Sequence, residues 1–315
     1  MTSTSSDFLN EVKNNLKLGS GCCIQIYGVT RDTQNGEYAI VIEFKNGGNL
    51  REFIKKNHSI LNWENISHIL RNICIGLNDI HVNNYHHKDF HSGNILNQLV
   101  NNGNIYSVIS DFGLSCPMER NAEDKTLYGV LPFVAPEVLR GGEFTKAADI
   151  YGFGMLMSEI ISGEVPFIDR DYDLHLAFDI CEGKRPLIPE YTPEPYADLM
   201  KSCWDPDPTN RPTAYELQKK FDYWFNIHLI YNSSKSIQSN EQLFIEKVFS
   251  YEREIMWKTR LAELAKNLHP LKKSQNLLTS KRLDFSKQLL AIRNVKTNDK
   301  LETKDVEMKK NDDGI

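Results

Sequence analysis

Between His87 and Glu137 three short strings follow one another: His87-Lys88-Asp89-Phe90-His91-Ser92-Gly93-Asn94, then Asp111-Phe112-Gly113, then Ala135-Pro136-Glu137. Each string alone is common by chance; their order and separations together are not. The stretch reads as mostly loop, with an unusual density of His, Asp and Gly. Such residues need a scaffold to hold them, and the flanking segments show where it comes from.

A short helix is expected from about Asp7 to Leu18, where Phe8, Leu9, Val12 and Leu16 recur at helical spacing behind Asp7 as cap. Cys23 to Val29 and Glu37 to Phe44 are rich in β-branched and aromatic residues. The polar run Arg31 to Gly36 separates them, which predicts an antiparallel strand pair. Gly47 and Gly48 precede a short helix over Leu50 to Lys56. A longer helix follows over Trp63 to Val82, with Ile66, Ile69, Leu70, Ile73, Leu77 and Ile80 on one face. Beyond the loop stretch a helix is predicted over Ala147 to Ser162, ended by Gly163 with Pro166 just beyond. Helical segments then alternate with Pro-rich connections as far as about Ile227, and no internal repeat is present. Asn232 to Asn240 reads as a polar linker. Leu243 to Leu268 predicts one amphipathic helix with Leu243, Phe244, Val248, Ile255, Leu261, Leu264 and Leu268 as its stripe. It is open to packing on the large lobe, which is the default expectation, or to pairing with a partner helix, and its heptad pattern is too short to claim a coiled coil. After Pro270 the drift toward Lys, Asn, Asp and Thr predicts a disordered end.

The three strings together resemble the protein kinase signature H-R-D-x-x-x-x-N, D-F-G, A-P-E, and the likeness runs from about Phe8 to Ile227. The resemblance implies an α+β, two-lobed protein kinase fold with an intact, mostly helical large lobe and an N-terminally truncated small lobe. It implies a kinase domain over 1–228 and a tail over 229–315, with ATP and Mg²⁺ as cofactors. Asp89 matches the family's catalytic aspartate, with Lys88 before it and Asn94 after it in the same loop. Asn94 and Asp111 match the two metal ligands, hard oxygen donors from separate loops suited to Mg²⁺. Ile42, Glu43, Phe44 and Lys45 match the gatekeeper and the hinge that meets adenine, and Glu11 matches the helix glutamate that pairs with the ATP-binding lysine. Glu137 and Arg211 match the family's buried ion pair, and Asp149 the aspartate that holds the backbone of the catalytic loop.

Several positions depart from the pattern. Only ten residues precede Glu11, too few for a glycine-rich loop, a second strand and the lysine strand, which predicts a small lobe of two strands without that lysine. Gly19 and Gly21 follow the glutamate and belong to a helix-to-strand turn, not a phosphate loop. Lys88 stands where the family has arginine, keeping charge but losing bidentate geometry. Asn15 falls at a usually apolar position of the internal spine that includes Ile26, His87 and Phe112. His91 stands where serine/threonine kinases carry lysine, Val130 where they carry threonine, and the tyrosine-kinase variants of the loop are absent. This mixture resembles the tyrosine-kinase-like group, whose members mostly modify Ser and Thr. Ser115, Thr126 and Tyr128 are hydroxyls in the activation segment open to phosphorylation.

Composition bounds the rest. A net charge of -5 and a pI near 6.0 point away from a nucleic-acid partner, and no stretch reaches the length of a membrane span. Six cysteines without C-x-x-C spacing, and no signal-peptide pattern after Met1, read as reduced thiols at a cytoplasmic or nuclear address. The resemblance therefore predicts a signalling phosphotransferase acting on protein substrates or partners, Ser/Thr before Tyr, and leaves the oligomeric state open. The alternative is a catalytically impaired pseudokinase or scaffold that binds partner proteins.

Overall fold

The computed structural model describes residues 6–18, 21–34, 36–100, 104–113, 115–117, 127–233, 239–266, 280–283, 285 and 288–289. In chain order the elements begin with α1 (Ser6–Leu18), β1 (Ile26–Arg31), β2 (Tyr38–Ile42), β3 (Gly48–Asn49), α2 (Leu50–Asn57) and α3 (Trp63–Val82). Next come β4 (Tyr85–His86), β5 (Ile95–Leu99), β6 (Ile105–Ile109), β7 (Cys116–Pro117) and β8 (Leu127–Gly129). Helices α4 (Pro136–Leu139), α5 (Lys146–Ser162), α6 (Leu174–Cys181), α7 (Glu194–Cys203), α8 (Ala214–Ser233), α9 (Asn240–Val248) and α10 (Tyr251–Lys266) follow, and β9 (Lys281–Leu283) closes the series.

Local chemistry starts and stops these helices as the sequence requires. Asn49 caps α2 by accepting from the Glu52 amide, and Asn62 caps α3 by accepting from the Asn65 amide. Helix α5 ends at Gly163 with φ 74°, a backbone that favours glycine. A methyl group there would also collide with Leu261 of α10, so glycine is needed twice over.

The core lies where α3 and α5 meet, with Ile69, Leu70, Ile73, Leu77 and Ile80 of α3 and Phe153, Met155, Leu156 and Ile160 of α5 fully buried. Helix α8 packs along α3 and adds Leu217, Phe221 and Trp224. Among the described residues the small lobe comprises α1 and the antiparallel pair β1–β2. The Phe8 and Tyr38 rings, 6.0 Å apart, join helix to sheet. Tyr27, Val29, Val41 and Ile42 on that sheet are exposed.

The structure redraws three expectations. The first strand was expected from Cys23, but regular pairing begins at Ile26. Cys22 and Ile24 instead bond to Ile109 at the end of β6, Ile109 N–H donating to Cys22 and Ile24 N–H to Ile109. The stretch from His87 to Glu137 is not mostly loop, because β5 and β6 form a hairpin that β3 extends to three strands. Its alternation was hidden by Asn97, whose buried amide oxygen accepts from Ser107. The tail is not one helix either. It breaks at Phe249–Ser250 into α9 and α10, which resets the helical phase. The buried side chains are therefore Ile245, Phe249, Trp257 and Leu261, whereas Leu243, Phe244 and Ile255 of the expected stripe are exposed. Leu268 of the stripe lies outside the described residues. Of the end expected to be disordered, 280–283, 285 and 288–289 are described, and there β9 and the buried Leu289 correct the expectation.

The tail nonetheless packs within the protein. Trp257 stacks on Trp63 at 5.1 Å and its indole N–H donates to the Ile160 carbonyl at 3.1 Å. Trp63 in turn donates to the Ser250 carbonyl at 3.2 Å. Trp257→Ala should lower unfolding stability by about 3–5 kcal/mol, read by urea denaturation, because it empties a fully buried site and removes the stack on Trp63. His228, edge-on to Phe249 at 5.3 Å, is held neutral by burial, its pKa pushed down from 6.5 to about 4. The unfolded chain then binds a proton that the folded one refuses. The contribution is full above pH 6.5 and is lost as pH falls toward 4. His228→Phe should flatten the pH dependence of stability in that window, measured by denaturation at pH 7, 6 and 5.

Candidate active site

The loop from His87 to Asn94 is held from beneath by Asp149, buried in the first turn of α5. Its Oδ2 accepts the His87 amide at 3.0 Å and its Oδ1 the Lys88 amide at 3.1 Å, while His81 Nε2 lies 2.9 Å from Oδ2. These bonds fix a backbone in which Lys88 adopts φ 70°. Burial pushes the Asp149 carboxyl up, but the His81 hydrogen bond and the neighbouring His81 and His87 charges outweigh it and hold it below its ordinary range. Gly152 lets α5 close on this loop, since a Cβ there would come within 2.9 Å of the Phe90 carbonyl.

Asp89 is buried at the centre of the loop. Asn94 Nδ2 donates to its backbone carbonyl at 2.9 Å and approaches Oδ2 at 3.4 Å. His91 Nδ1 accepts from the Gly93 amide, so its proton sits on Nε2, 3.5 Å from Asp89 Oδ2. Oδ1 is buried and carries no hydrogen bond of ordinary geometry. Burial raises the Asp89 pKa, and the His91 hydrogen bond, the charges of His91 and His87 and the Ser280 hydroxyl together bring it below the ordinary carboxylate value. An acceptor oxygen is thus kept charged and uncommitted.

Asp111 is exposed, with φ 64° and a 3.3 Å bond from the Gly113 amide to its Oδ1. Helix α1 secures this segment through Asn14, whose side-chain amide donates to the Phe112 carbonyl at 3.2 Å and the Ser115 carbonyl at 2.6 Å. Phe112 is buried with its ring 5.5 Å from His87. Glu11 reaches the same place: a Cβ on Gly113 would stand 3.3 Å from Asp111 Oδ1 and 3.7 Å from Glu11 Oε2. Burial first, and the Asp111 charge second, push the Glu11 carboxyl above its ordinary value. Among the described residues no three His, Cys, Asp or Glu side chains form a closed metal cage.

The remaining expected site residues sit apart from this cluster. Ile42 ends β2, and the Glu43 amide donates to the Gln25 carbonyl at 2.9 Å. Lys45 Nζ pairs with Glu43 Oε1 at 2.8 Å, and Phe44 is 83% exposed. Ser115 is buried, and its hydroxyl donates to the His87 carbonyl at 3.2 Å, so it is a structural bond and not an open acceptor. Tyr128 is exposed on β8, while Thr126 and the side chain of Asn15 lie outside the described residues. Arg211 grips Glu137 with two bonds, Nη1 to Oε1 at 2.7 Å and Nη2 to Oε2 at 2.8 Å, as the sequence led us to expect.

Sequence reasoning missed His81, whose only signal is an unremarkable position in the last turn of α3. It also missed the triad in which Arg51 bonds Glu159 at 2.7 Å and Ser92 at 2.9 Å, tying α2 and α5 to the catalytic loop.

A family model described as protein tyrosine and serine/threonine kinase matches residues 1–221. The chain belongs to that family, and its α+β fold is the protein kinase fold. A putative serine/threonine-protein kinase/receptor, R831, of Acanthamoeba polyphaga mimivirus is 32% identical over 67% of this chain and 12% of its own length. Mitogen-activated protein kinase kinase kinase 10 of Homo sapiens is 31% identical over 67% of the chain and 23% of its own length. The dual specificity protein kinase zakA of Dictyostelium discoideum is 32% identical over 63% of the chain and 27% of its own length. The chain thus spans about an eighth to a quarter of the length of these relatives. No helix among the described residues is long and apolar enough to cross a membrane.

Proposed function

We propose that this chain transfers the γ-phosphoryl group of ATP to protein hydroxyls, serine or threonine in preference to tyrosine, as part of a signalling pathway. The observation that carries the reading is Asp89, a buried carboxylate kept charged with one oxygen left free of hydrogen bonds. Such an oxygen can accept the proton of an incoming hydroxyl and aim it in line with the phosphorus. Lys88 lies beside it in the same loop, its backbone fixed by Asp149.

Asn94 uses its amide nitrogen on Asp89, which leaves its side-chain oxygen as the atom for a cation, with Asp111 as the second donor. Bound Mg²⁺ would neutralise charge on the triphosphate. Ile42 to Lys45 would meet the adenine, and Glu11 would close the site beside Asp111. Residues 1–228 form the kinase domain in this reading and 229–315 its tail, acting on protein substrates in the cytoplasm or nucleus. Two of the relatives, a putative serine/threonine-protein kinase/receptor and a mitogen-activated protein kinase kinase kinase, favour this over a pseudokinase.

The test is ATP binding by the purified chain with and without Mg²⁺, beside Asp111→Asn, followed by phosphate transfer to a generic protein acceptor. Metal-dependent binding that the substitution abolishes, together with transfer, is the expected result. A folded chain that binds no ATP at millimolar concentration would instead make it a scaffold.

A further inference from the structure

The function above makes no use of the last described strand. Strand β9 pairs antiparallel with β8 in the activation segment, in the register Leu127 with Leu283, Tyr128 with Arg282 and Gly129 with Lys281. One more step of that ladder places Ser280 opposite Val130 and next to Gly129. A Cβ on Gly129 would stand 3.8 Å from Asp89 Oδ1, the buried oxygen without a hydrogen bond. The strand is anchored from its other end: Leu283 and Phe285 pack against the core, Leu289 is buried in it, and the Leu289 amide donates to the Phe285 carbonyl at 2.9 Å. Lys281 and Arg282 stay exposed. An extended segment added to a sheet edge, with alternate side chains anchored and one hydroxyl delivered to a carboxylate, is the geometry of a bound peptide.

We propose that Ser280 is an intramolecular phosphoacceptor, delivered to Asp89 by the docking of Lys281–Leu283 on β8. The inference rests on the phosphotransfer reading above and names one acceptor for it. In the step, Ser280 Oγ forms a bond to the γ-phosphorus of ATP as the bond from that phosphorus to the β,γ-bridging oxygen breaks. Asp89 takes the hydroxyl proton, ADP leaves, and Ser280 becomes a phosphate ester. The Ser280 hydroxyl already helps hold Asp89 charged, although Oδ1 keeps no bond of ordinary geometry. A loose approach of this kind is usual before the donor is bound. The ester would carry a charge of about −1.5 to −2 next to the Asp89 carboxylate, so phosphorylation would expel the strand and open the groove to other acceptors.

The experiment uses the full chain with Mg²⁺ and ATP, with casein present as a generic acceptor, and maps phosphosites by mass spectrometry. Amide exchange at Leu127–Gly129 is followed in parallel without nucleotide. Phosphate on Ser280 is expected at a fractional rate that stays constant as protein concentration changes, since the acceptor is tethered. Leu283→Asp should slow it by at least about 10-fold through misplacement of the hydroxyl, and should speed exchange at β8. Ser280→Ala should remove that phosphosite and, with the strand left docked, slow casein modification. Casein phosphorylated with Ser280 bare would overturn the proposal and leave the strand as a blocking segment. Exchange at β8 unchanged by Leu283→Asp, or a Ser280 rate that rises with protein concentration, would overturn it as well. If a folded chain modifies neither casein nor Ser280, the phosphotransfer reading itself has failed, and Ser280 falls with it.

Discussion

Arg211→Ala lowers the unfolding free energy by about 3–5 kcal/mol, because it strands the Glu137 carboxylate in a site built for a guanidinium. The side chain of Arg211 is fully buried and also donates to the Ala147 and Asp205 carbonyls, so both charge balance and backbone bonds are lost together. Its guanidinium lies 5.4 Å from the buried Tyr151 ring, which Arg185 also approaches at 5.1 Å. The measurement is equilibrium denaturation in urea, with a fall in Tm on the order of 10 °C. A paired replacement of Glu137 and Arg211 by leucine should recover part of the loss, since it removes the isolated charge. A single substitution that leaves stability within error would show that the pair is solvated in solution.

Asp89→Asn should reduce phosphate transfer by about 10²–10⁴-fold while leaving ATP affinity and stability close to those of the parent chain. The amide keeps the shape of the carboxylate, and the contact from Asn94 to the Asp89 backbone carbonyl survives the change. What disappears is the proton-accepting oxygen that the His91 hydrogen bond helps keep ionised against burial. Single-turnover transfer to an added acceptor, beside ATP titration, separates the two effects. A loss of ATP binding equal to the loss of rate would place Asp89 in binding and not in proton transfer.

The parts of this molecule that were legible in the sequence share a local cause. Helix α3 was expected over its observed span because its apolar positions follow one period. Helix α5 stops where Gly163 and Pro166 said it would. The Glu137–Arg211 pair and the grip of Asp149 on the catalytic loop were readable only through the family resemblance, since neither partner is near the other in sequence. The hairpin β5–β6 was missed because its inward positions include Asn97 and Ser107, which satisfy one another and so look polar without being exposed.

Sequence alone determined the family and the spans of α3 and α5, because those depend on residue type and spacing along one chain. Only the tertiary structure decided that Glu11 and Asp111 converge on Gly113, that the tail divides at Phe249 so that Trp257 can stack on Trp63, and that β9 returns to the edge of β8. Each of these joins residues separated by a hundred positions or more, and each is set by which surfaces remain to be covered once the helices have packed. A strand of three residues, Lys281–Leu283, has no periodicity to announce it; it exists because Leu127–Gly129 offers a free edge and the core accepts Leu283 and Leu289.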